Sequence, residues 1–407
     1  MFNGRSEVLG RYAAWPSTPQ ELQGCVDRAR KSGMSVSIRG GGHGIAGRAL
    51  SGDLIIDMRK FRNMTDSGET VKVGAGCTWA ELDHFGASRG WVVPGGTVST
   101  TGVAGLALGG GVGWLLPTYG LTCDSLVGLK GVTGLAEDAR IDDAYDAVAM
   151  KLARGFGHGW LAIHEFEFVH HPLPTRIEFG SIEYREEDAY DVLHALSTAS
   201  GACPDSINWS PALIRRSDRS FVSVDGMSFG SISFGDWIRS VCPVTPSSTS
   251  FRTGSYCDLQ RMLDNPARWG QRSAWRSLFV RNLPDEAIAE LVRVFEQSKV
   301  ETLQIFVERM TGVVKGPRFP SDFALRDANF DILMAASWSD PGADRASVEW
   351  LDDAKEAILS KLAESAFSAT YSNYAAKTER VIPSGVRASL DRVIERYDPD
   401  RLFKSCY

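Results

Sequence analysis

The pattern of apolar and polar positions in the first ninety residues predicts short strands separated by helices. A capping box begins at Thr18, proline follows at the first helical position, and apolar residues then recur at helical spacing, which predicts a helix over 18–32. A second capping box at Thr78 predicts a helix that ends near Gly90. Short β-branched runs predict strands at 35–39, 54–58 and 70–75. These groupings indicate an α+β fold rather than regular βαβ alternation.

The second half of the chain carries longer amphipathic segments. The clearest is a helix over 346–363, whose apolar positions recur every three or four residues and therefore indicate a face packed in a core. Two further helices are predicted at 187–198 and 285–297. Strands are predicted at 176–184, 221–224, 303–307 and 332–338.

Two glycine-rich runs, at 36–47 and 102–113, interrupt the predicted elements. Three consecutive glycines directly after a strand allow the backbone to approach a phosphate, because no Cβ intervenes. Neither a P-loop string nor a glycine motif that opens a helix is present. The region 95–113 has too many glycines to predict a helix, so we interpret it as a backbone track along an extended ligand, with hydroxyl donors at Thr97, Ser99, Thr100 and Thr101. His43 lies inside the first glycine turn.

Composition narrows the class of ligand. A chain of 407 residues exceeds the usual size of a single core, which predicts two domains or one domain with a large insertion. The net charge of −6 argues against nucleic acid or an anionic membrane as a partner and favours a small molecule. No signal-peptide h-region or bilayer-spanning run is visible in the sequence, so a cytoplasmic location is expected. Seven scattered cysteines indicate reduced thiols rather than disulfides or a metal site.

Several motifs in order resemble one family. RGGGHGIAG at 39–47 is followed by PGGT at 94–97, GVAGLALGGGVGWL at 102–115 and YGLTCD at 119–124, and the C-terminal part contains YSNY at 371–374 and YDPDRLF at 397–403. This set resembles the PCMH-type FAD-linked oxidases of the vanillyl-alcohol-oxidase superfamily, in the berberine-bridge-enzyme-like branch. The resemblance implies an FAD-binding domain over 1–172, a substrate domain with an antiparallel sheet backed by helices over 173–368, and a segment over 369–407 that returns to the FAD domain.

The resemblance also implies how the cofactor is held. His43 would bond covalently to the flavin, Arg39 and the adjacent glycines would line the pyrophosphate, and the backbone from Gly96 to Gly113 would follow the ribityl chain and the ring. Val98 stands where many members have a second linking cysteine, so one covalent bond is predicted. The expected cofactor-binding residues are Arg39, Gly40, Gly41, Gly42, His43, Gly44, Gly47, Gly96, Thr97, Val98, Thr101, Gly102, Gly105, Gly109, Gly110, Gly113, Tyr119, Gly120, Leu121, Asp124 and Asn373.

The catalytic residues implied by the resemblance are Tyr371, as general base, and Asn373, near the flavin ring. Alternate residues of an extended segment share one face, which would bring these two side chains together. A tyrosine base needs surroundings that favour its ionisation, since the ordinary pKa of a phenol is about 10. Trp275, Tyr256 and Trp338 are the aromatic candidates for substrate contact. The segment 148–160 departs from the family pattern, and we interpret His158 there as a surface histidine rather than a phosphate contact.

The leading hypothesis is an FAD-dependent oxidase. An alcohol or amine carbon of a small molecule or natural-product intermediate would deliver a hydride to flavin N5, and O2 would become H2O2. An oxidative or non-redox cyclase and a flavin-binding protein with degraded catalysis are the alternatives. The expected partners are the substrate and O2, with no metal, no nucleic acid and no membrane, in a monomer or a homodimer.

Overall fold

The computed structural model describes residues 2–216, 219–265, 269–376 and 382–404. Cys406 and parts of the predicted segment 369–407 lie outside these ranges. The α+β fold class is confirmed, because helices, one small parallel sheet and separate antiparallel sheets make up the molecule. None of the helices within these ranges has the length and apolar character needed to cross a bilayer.

The first half of the chain builds two principal sheets. A small parallel sheet has the order β1-β3-β2, and an antiparallel sheet has the order β4-β5-β9-β7-β8, while β6 pairs with β10. The strands are β1 Tyr12–Ala14, β2 Val36–Arg39, β3 Leu54–Asp57, β4 Met64–Asp66, β5 Thr70–Gly74, β6 Trp91–Val92, β7 Leu126–Val132, β8 Asp138–Asp142, β9 Ala162–Val169 and β10 His171–Pro172. The helices are α1 Pro19–Lys31, α2 Trp79–Ala87, α3 Val103–Gly109, α4 Leu116–Tyr119 and α5 Ala147–Phe156.

Helix α3 corrects one prediction, because the run 95–113 was expected to be non-helical. Val103, Ala107 and Leu108 are buried in the core of the first half, and this packing compensates for the low helix propensity of glycine. Gly110, with φ of 126°, ends the helix in a conformation that only glycine adopts readily. Tertiary contacts therefore decide the structure of the second glycine run.

The second half forms one antiparallel sheet of seven strands, in the order β14-β11-β13-β12-β16-β17-β15. Its strands are β11 Ile177–Arg185, β12 Ile207–Arg216, β13 Arg219–Phe229, β14 Ser248–Gly254, β15 Arg272–Val280, β16 Thr302–Arg309 and β17 Phe330–Trp338. Its helices are α6 Ala189–Ala199, α7 Phe234–Val241, α8 Tyr256–Gln260, α9 Asp285–Gln297 and α10 Asp344–Leu362.

Alternation along β16 shows how this sheet is oriented. Leu303, Ile305 and Val307 are buried in the core that the sheet forms with its helices, whereas Gln304 and Glu308 point to the opposite face, towards the first half of the chain. After this sheet the chain returns to the first half. Helix α11, Ser384–Tyr397, packs in the first core, and residue 403 forms a bridge with residue 36 of β2.

Candidate active site

The two glycine runs touch backbone to backbone. A Cβ at Gly41 would overlap the backbone nitrogen of Gly102, and a Cβ at Gly102 would overlap that of Gly41. Only glycine at both positions allows this approach. The contact brings the turn after β2 against the start of α3, so that residues some sixty positions apart in sequence form one wall.

A long cavity of about 290 Å³ runs along this wall. We call it the long cavity. Of the residues expected to bind the cofactor, twelve border it, and they are Gly40, Gly41, Gly42, His43, Gly44, Gly96, Thr97, Val98, Thr101, Gly102, Gly105 and Asn373. The turn, the start of α3 and the segment after Tyr371 therefore line one cavity, which is the candidate cofactor site.

His43 is held in a fixed orientation at this cavity. Its Nε2 lies 2.9 Å from Thr100 Oγ1, and its ring stacks on Phe2 with a centroid distance of 4.3 Å and an interplanar angle of 25°. Burial lowers the pKa of His43 to about 4, against a smaller opposite effect of Asp264. The imidazole is therefore neutral at physiological pH, with a nitrogen lone pair available for bonding.

The cavity fits an FAD molecule. At Gly44 and at Gly105 an added Cβ would meet no heavy atom within 4 Å, so the absent side chains leave space for a ligand against the backbone. One end is lined by apolar side chains suited to a flat heterocycle, and these include Ile38, Met58, Leu161, Ile163 and Phe166. Arg48 and His158 also border the cavity and supply a cation and an imidazole near the glycine turn.

The position of His158 corrects the expectation of a surface histidine. Its Nε2 lies 3.0 Å from the carbonyl oxygen of Gly105, and the side chain borders the long cavity. Burial, together with the charge of Arg48, lowers the pKa of His158 to about 4. Arg48 in turn donates to the carbonyl oxygens of Ser372 and Ala376, at 3.1 and 2.9 Å, and so ties the segment after Tyr371 to the cavity.

Arg39 lies beneath the glycine turn and does not border the long cavity. Its Nη1 donates to Asp57 at 2.6 Å, and a Cβ at Gly42 would lie only 2.5 Å from the guanidinium. Gly47, with φ of 66°, begins the short 3₁₀ turn after the glycine run and likewise lies outside the cavity. These residues support the turn from outside.

The YGLTCD segment supports the fold. Asp124 forms an ion pair with Arg326 and also accepts a hydrogen bond from the backbone N–H of Leu121. The hydroxyl of Tyr119 donates to the carbonyl oxygen of Pro172 at 2.8 Å. Four expected binding residues, Tyr119, Gly120, Leu121 and Asp124, therefore border neither cavity of the site. Cys123 is fully buried.

A second cavity, of about 190 Å³, lies between the first half and the open face of the seven-stranded sheet. We call it the sheet cavity. Aromatic residues such as Trp275 and Phe306 line it together with polar residues such as Asn208, Gln304 and Asp225. The two cavities share the border residues Phe2, Thr97, Val98, Val112, Trp275 and Tyr374. Trp275 is thus at the site, whereas Tyr256 and Trp338 are buried in cores and border neither cavity.

Tyr371 does not reach either cavity. Its hydroxyl oxygen accepts hydrogen bonds from the N–H of Gly111 at 2.9 Å and from the side-chain amide of Asn373 at 2.8 Å, and burial raises the pKa of the phenol. A further N–H, from Val112, lies 3.3 Å from the same oxygen. Tyr371 and Asn373 therefore do come together, but the phenol faces the second glycine run instead of the substrate space.

The conformation of the segment explains this difference. Residues 371–375 form a turn, in which the N–H groups of Tyr374 and Ala375 donate to the carbonyl oxygen of Tyr371 at 3.1 and 2.9 Å. Alternation of faces applies only to extended backbone, so the expected pairing of 371 with 373 on a substrate-facing side does not arise. The second tyrosine of YSNY, Tyr374, reaches both cavities instead.

Next to Tyr374 lies a pair of carboxyl groups that the sequence analysis did not identify. Its hydroxyl donates to Glu308 at 3.4 Å, and Glu308 lies directly opposite Asp331 in the pairing of β16 with β17. Burial raises the pKa of both carboxyl groups. The alternation of apolar and polar residues along β16 could have identified Glu308 as a residue of the opposite sheet face. The position of Asp331 beside Glu308 could not have been predicted, because it depends on a strand register that local patterns do not show.

The remaining expected glycines shape the second run. Gly109 packs against Asn373, where a Cβ would overlap the amide oxygen, and Gly110 packs against Phe323 and Tyr371. Gly113 borders the sheet cavity, and its close contact with the carbonyl of Gly95 leaves no room for a side chain. Within the described ranges, no cluster of three or more His, Cys, Asp or Glu residues could hold a metal ion.

Comparison with known proteins agrees with this geometry. Residues 11–137 match the family described as the FAD binding domain. An FAD-linked oxidoreductase of Dictyostelium discoideum is 25% identical over 401 residues, which cover 96% of this chain and 86% of that protein. The similarity to this relative therefore spans nearly the whole chain.

Solved structures share the fold. A berberine-bridge-enzyme-like protein, BBE-like 1 of Physcomitrella patens, superposes with a TM-score of 0.86 at 18% identity and covers 97% of this chain and 90% of its own. Glucooligosaccharide oxidase from Acremonium strictum, described with a 6-S-cysteinyl, 8α-N1-histidyl FAD, superposes with a TM-score of 0.86 at 19% identity, over 98% of this chain and 93% of its own. The chain therefore contains an FAD binding domain over residues 11–137, has the fold of the berberine-bridge-enzyme-like structures, and is similar over most of its length to an FAD-linked oxidoreductase.

Proposed function

We propose that this protein is an oxidase that acts on an alcohol or amine carbon of a small molecule. The observation that carries the proposal is the junction of the two cavities, where one phenol, that of Tyr374, borders both. A substrate in the sheet cavity would present its reacting carbon to a flavin in the long cavity at this junction. FAD, when bound, takes two electrons from the substrate as a hydride and passes them to O2, which becomes H2O2.

The residues at the junction supply a path for the substrate proton. Tyr374 takes the proton of the substrate hydroxyl or amine on its phenolic oxygen and gives its own proton to Glu308, to which it already donates a hydrogen bond at 3.4 Å. The phenol thus needs no ionisation in the resting enzyme, which matters because burial raises its pKa. Glu308 ends the step as a neutral carboxylic acid.

Two other features of the sheet cavity orient the substrate. Its aromatic side chains, including Trp275 and Phe306, offer flat apolar surfaces. Polar groups on the same sheet face, such as Asn208 and Gln304, offer donors and acceptors that fix the direction of the molecule. Both sets come from alternate positions of neighbouring strands, so the rigid sheet holds them.

We further propose a single covalent link to the flavin, through His43. The neutral imidazole borders the long cavity near the junction, and stacking on Phe2 fixes its plane. Val98, which also borders both cavities, has no thiol to form a second link. A histidyl link in the glucooligosaccharide oxidase supports attachment at this type of site.

The function is tested by measuring oxygen uptake and H2O2 release with a panel of alcohols and amines. With an active compound, Tyr374→Phe should reduce the rate of flavin reduction about 10²- to 10⁴-fold, the usual contribution of a positioned proton acceptor. Tyr145→Phe, at an exposed tyrosine far from both cavities, is the matched control and should react normally. Turnover without oxygen uptake would favour a cyclase, and a fully active Tyr374→Phe would remove Tyr374 from the proton path.

A further inference from the structure

The pairing of β16 with β17 places two carboxyl groups face to face next to the substrate space. Glu308 and Asp331 are opposite each other in register, and Asp331 is completely buried, while Glu308 borders the sheet cavity. On its other side Asp331 faces Phe279 of β15. Two buried carboxylates without a cation repel each other and lose hydration, so such a pair retains a proton.

The hydrogen-bond partners of the two carboxyl groups differ, and the difference favours Asp331 as the group that carries that proton. Neither oxygen of Asp331 accepts a bond from an N–H or alcohol O–H group in the described part of the chain. The polar group that contacts Asp331 is the carboxyl group of Glu308. Glu308, in contrast, also receives the hydroxyl of Tyr374, a donor that stabilises an anion. The negative charge therefore resides on Glu308.

Among the described residues, no cation acts directly on the pair. The ionisable groups that face Glu308 in the described structure are Asp331 from β17 and Tyr374 from the C-terminal segment. Arg309, the next residue of β16, is engaged elsewhere, because its guanidinium donates to the carbonyl oxygens of Ile207 and Cys203 at 2.8 and 2.7 Å. A neutral hydrogen-bond donor is thus the feature that can stabilise an ionised Glu308.

We propose that Asp331 is permanently protonated and donates a hydrogen bond that keeps Glu308 ionised as the final proton acceptor behind Tyr374. Asp331 is then a positioning residue that touches neither substrate nor flavin. The proposal rests on the proton path described above. This path requires that residue 331 is a neutral hydrogen-bond donor and does not carry a second negative charge.

Infrared spectroscopy of the purified holoenzyme locates the proton without any substrate. At neutral pH, Asp331→Asn should lose a carboxylic acid C=O band, and Glu308→Gln should lose a carboxylate band. Asp83→Asn is the matched control, since burial raises the pKa of Asp83 to about 8 at a place remote from the pair. It should also lose a carboxylic acid band, while the titration of Glu308 stays unchanged. Loss of the acid band in Glu308→Gln, with no such loss in Asp331→Asn, would overturn the proposal.

A pair of variants at position 331 tests the role of the donor. Asparagine still donates, so Asp331→Asn should leave the pH midpoint of the Glu308 band within about half a pH unit of its original value. Leucine keeps the branching at Cγ, is larger and has no donor, so Asp331→Leu should raise that midpoint by at least about one pH unit. A fall of about one pH unit or more in Asp331→Asn would mean that Asp331 was an anion, and would refute the proposal even if Asp331→Leu does not fold.

Activity connects the pair to the reaction. With the substrate identified by H2O2 release, the acid limb of the rate profile should follow the infrared midpoint in each variant. At a fixed pH on that limb, the rate of Asp331→Leu should therefore be about tenfold below the wild-type rate for every pH unit by which the midpoint rises. Asp331→Asn should have nearly the wild-type rate. If the infrared pattern holds and Tyr374→Phe is fully active, the proton path fails and the carboxyl pair stands. If Tyr374→Phe is inactive and the infrared pattern is absent, the proton path through Tyr374 stands and the proposed state of the carboxyl pair is refuted.

Discussion

The substitution Gly105→Ala separates the stability of the protein from its binding of the cofactor. Gly105 lies in α3 and faces the long cavity, and an added Cβ meets no protein atom within 4 Å. Alanine in place of a helical glycine stabilises a protein by about 0.5–1 kcal/mol. The protein without FAD should therefore become slightly more stable. A methyl group pushed into a filled site costs about 1–3 kcal/mol, so the FAD complex should become weaker.

The assay needs a flavin that can dissociate, which the background variant His43→Ala is expected to provide. FAD titrations followed by flavin fluorescence should show a Kd about 5- to 150-fold higher for Gly105→Ala than for its parent. Gly24→Ala is the matched control, because Gly24 is an exposed glycine of α1 whose Cβ also meets no atom. It should raise stability without changing the Kd. Equal affinity in Gly105→Ala and its parent would show that FAD does not pass along α3.

Three further substitutions test groups that surround the site. Tyr371→Phe removes the acceptor of the Gly111 N–H, so the free energy of unfolding in urea should fall by about 1–3 kcal/mol, and an unchanged value would contradict the structural role of this phenol. Asp124→Asn leaves the buried guanidinium of Arg326 without its carboxylate, and a loss of about 3–5 kcal/mol is expected, whereas a loss below about 1 kcal/mol would mean that the pair behaves as an exposed one. Burial raises the pKa of Asp83 from 3.8 to about 8, so the folded state binds a proton there and loses stability as the pH rises through this window. Asp83→Asn should abolish that part of the pH dependence, and parallel stability curves for the two proteins between these values would refute the assignment.

Much of the candidate cofactor site could be predicted from the sequence, because the residues that form it lie in short continuous segments. Three glycines and a histidine directly after a strand identify the turn, and the second glycine run identifies its partner. The structure adds that both runs meet at Gly41 and Gly102, where their backbones touch. The helical state of α3 was not predictable from composition, since burial of Val103 and Leu108 outweighs the low propensity of its glycines.

The residues on the substrate side of the site were harder to predict from the sequence. The prediction at Tyr371 assumed extended backbone, whereas a turn over 371–375 directs Tyr374 to the cavities instead. The pairing of Glu308 with Asp331 depends on the register of two strands more than twenty residues apart, and no local pattern encodes a register. His158 was expected at the surface, yet the fold places it against the carbonyl oxygen of Gly105.

The central claim is that the long cavity binds FAD with its ring beside His43. It is tested most directly by the visible spectrum and intact mass of protein precipitated with acid. The wild-type pellet should keep the yellow flavin absorption and a mass increased by one FAD, and His43→Ala should release its flavin into the supernatant. A wild-type protein with the bare chain mass and no flavin in either fraction would contradict the claim.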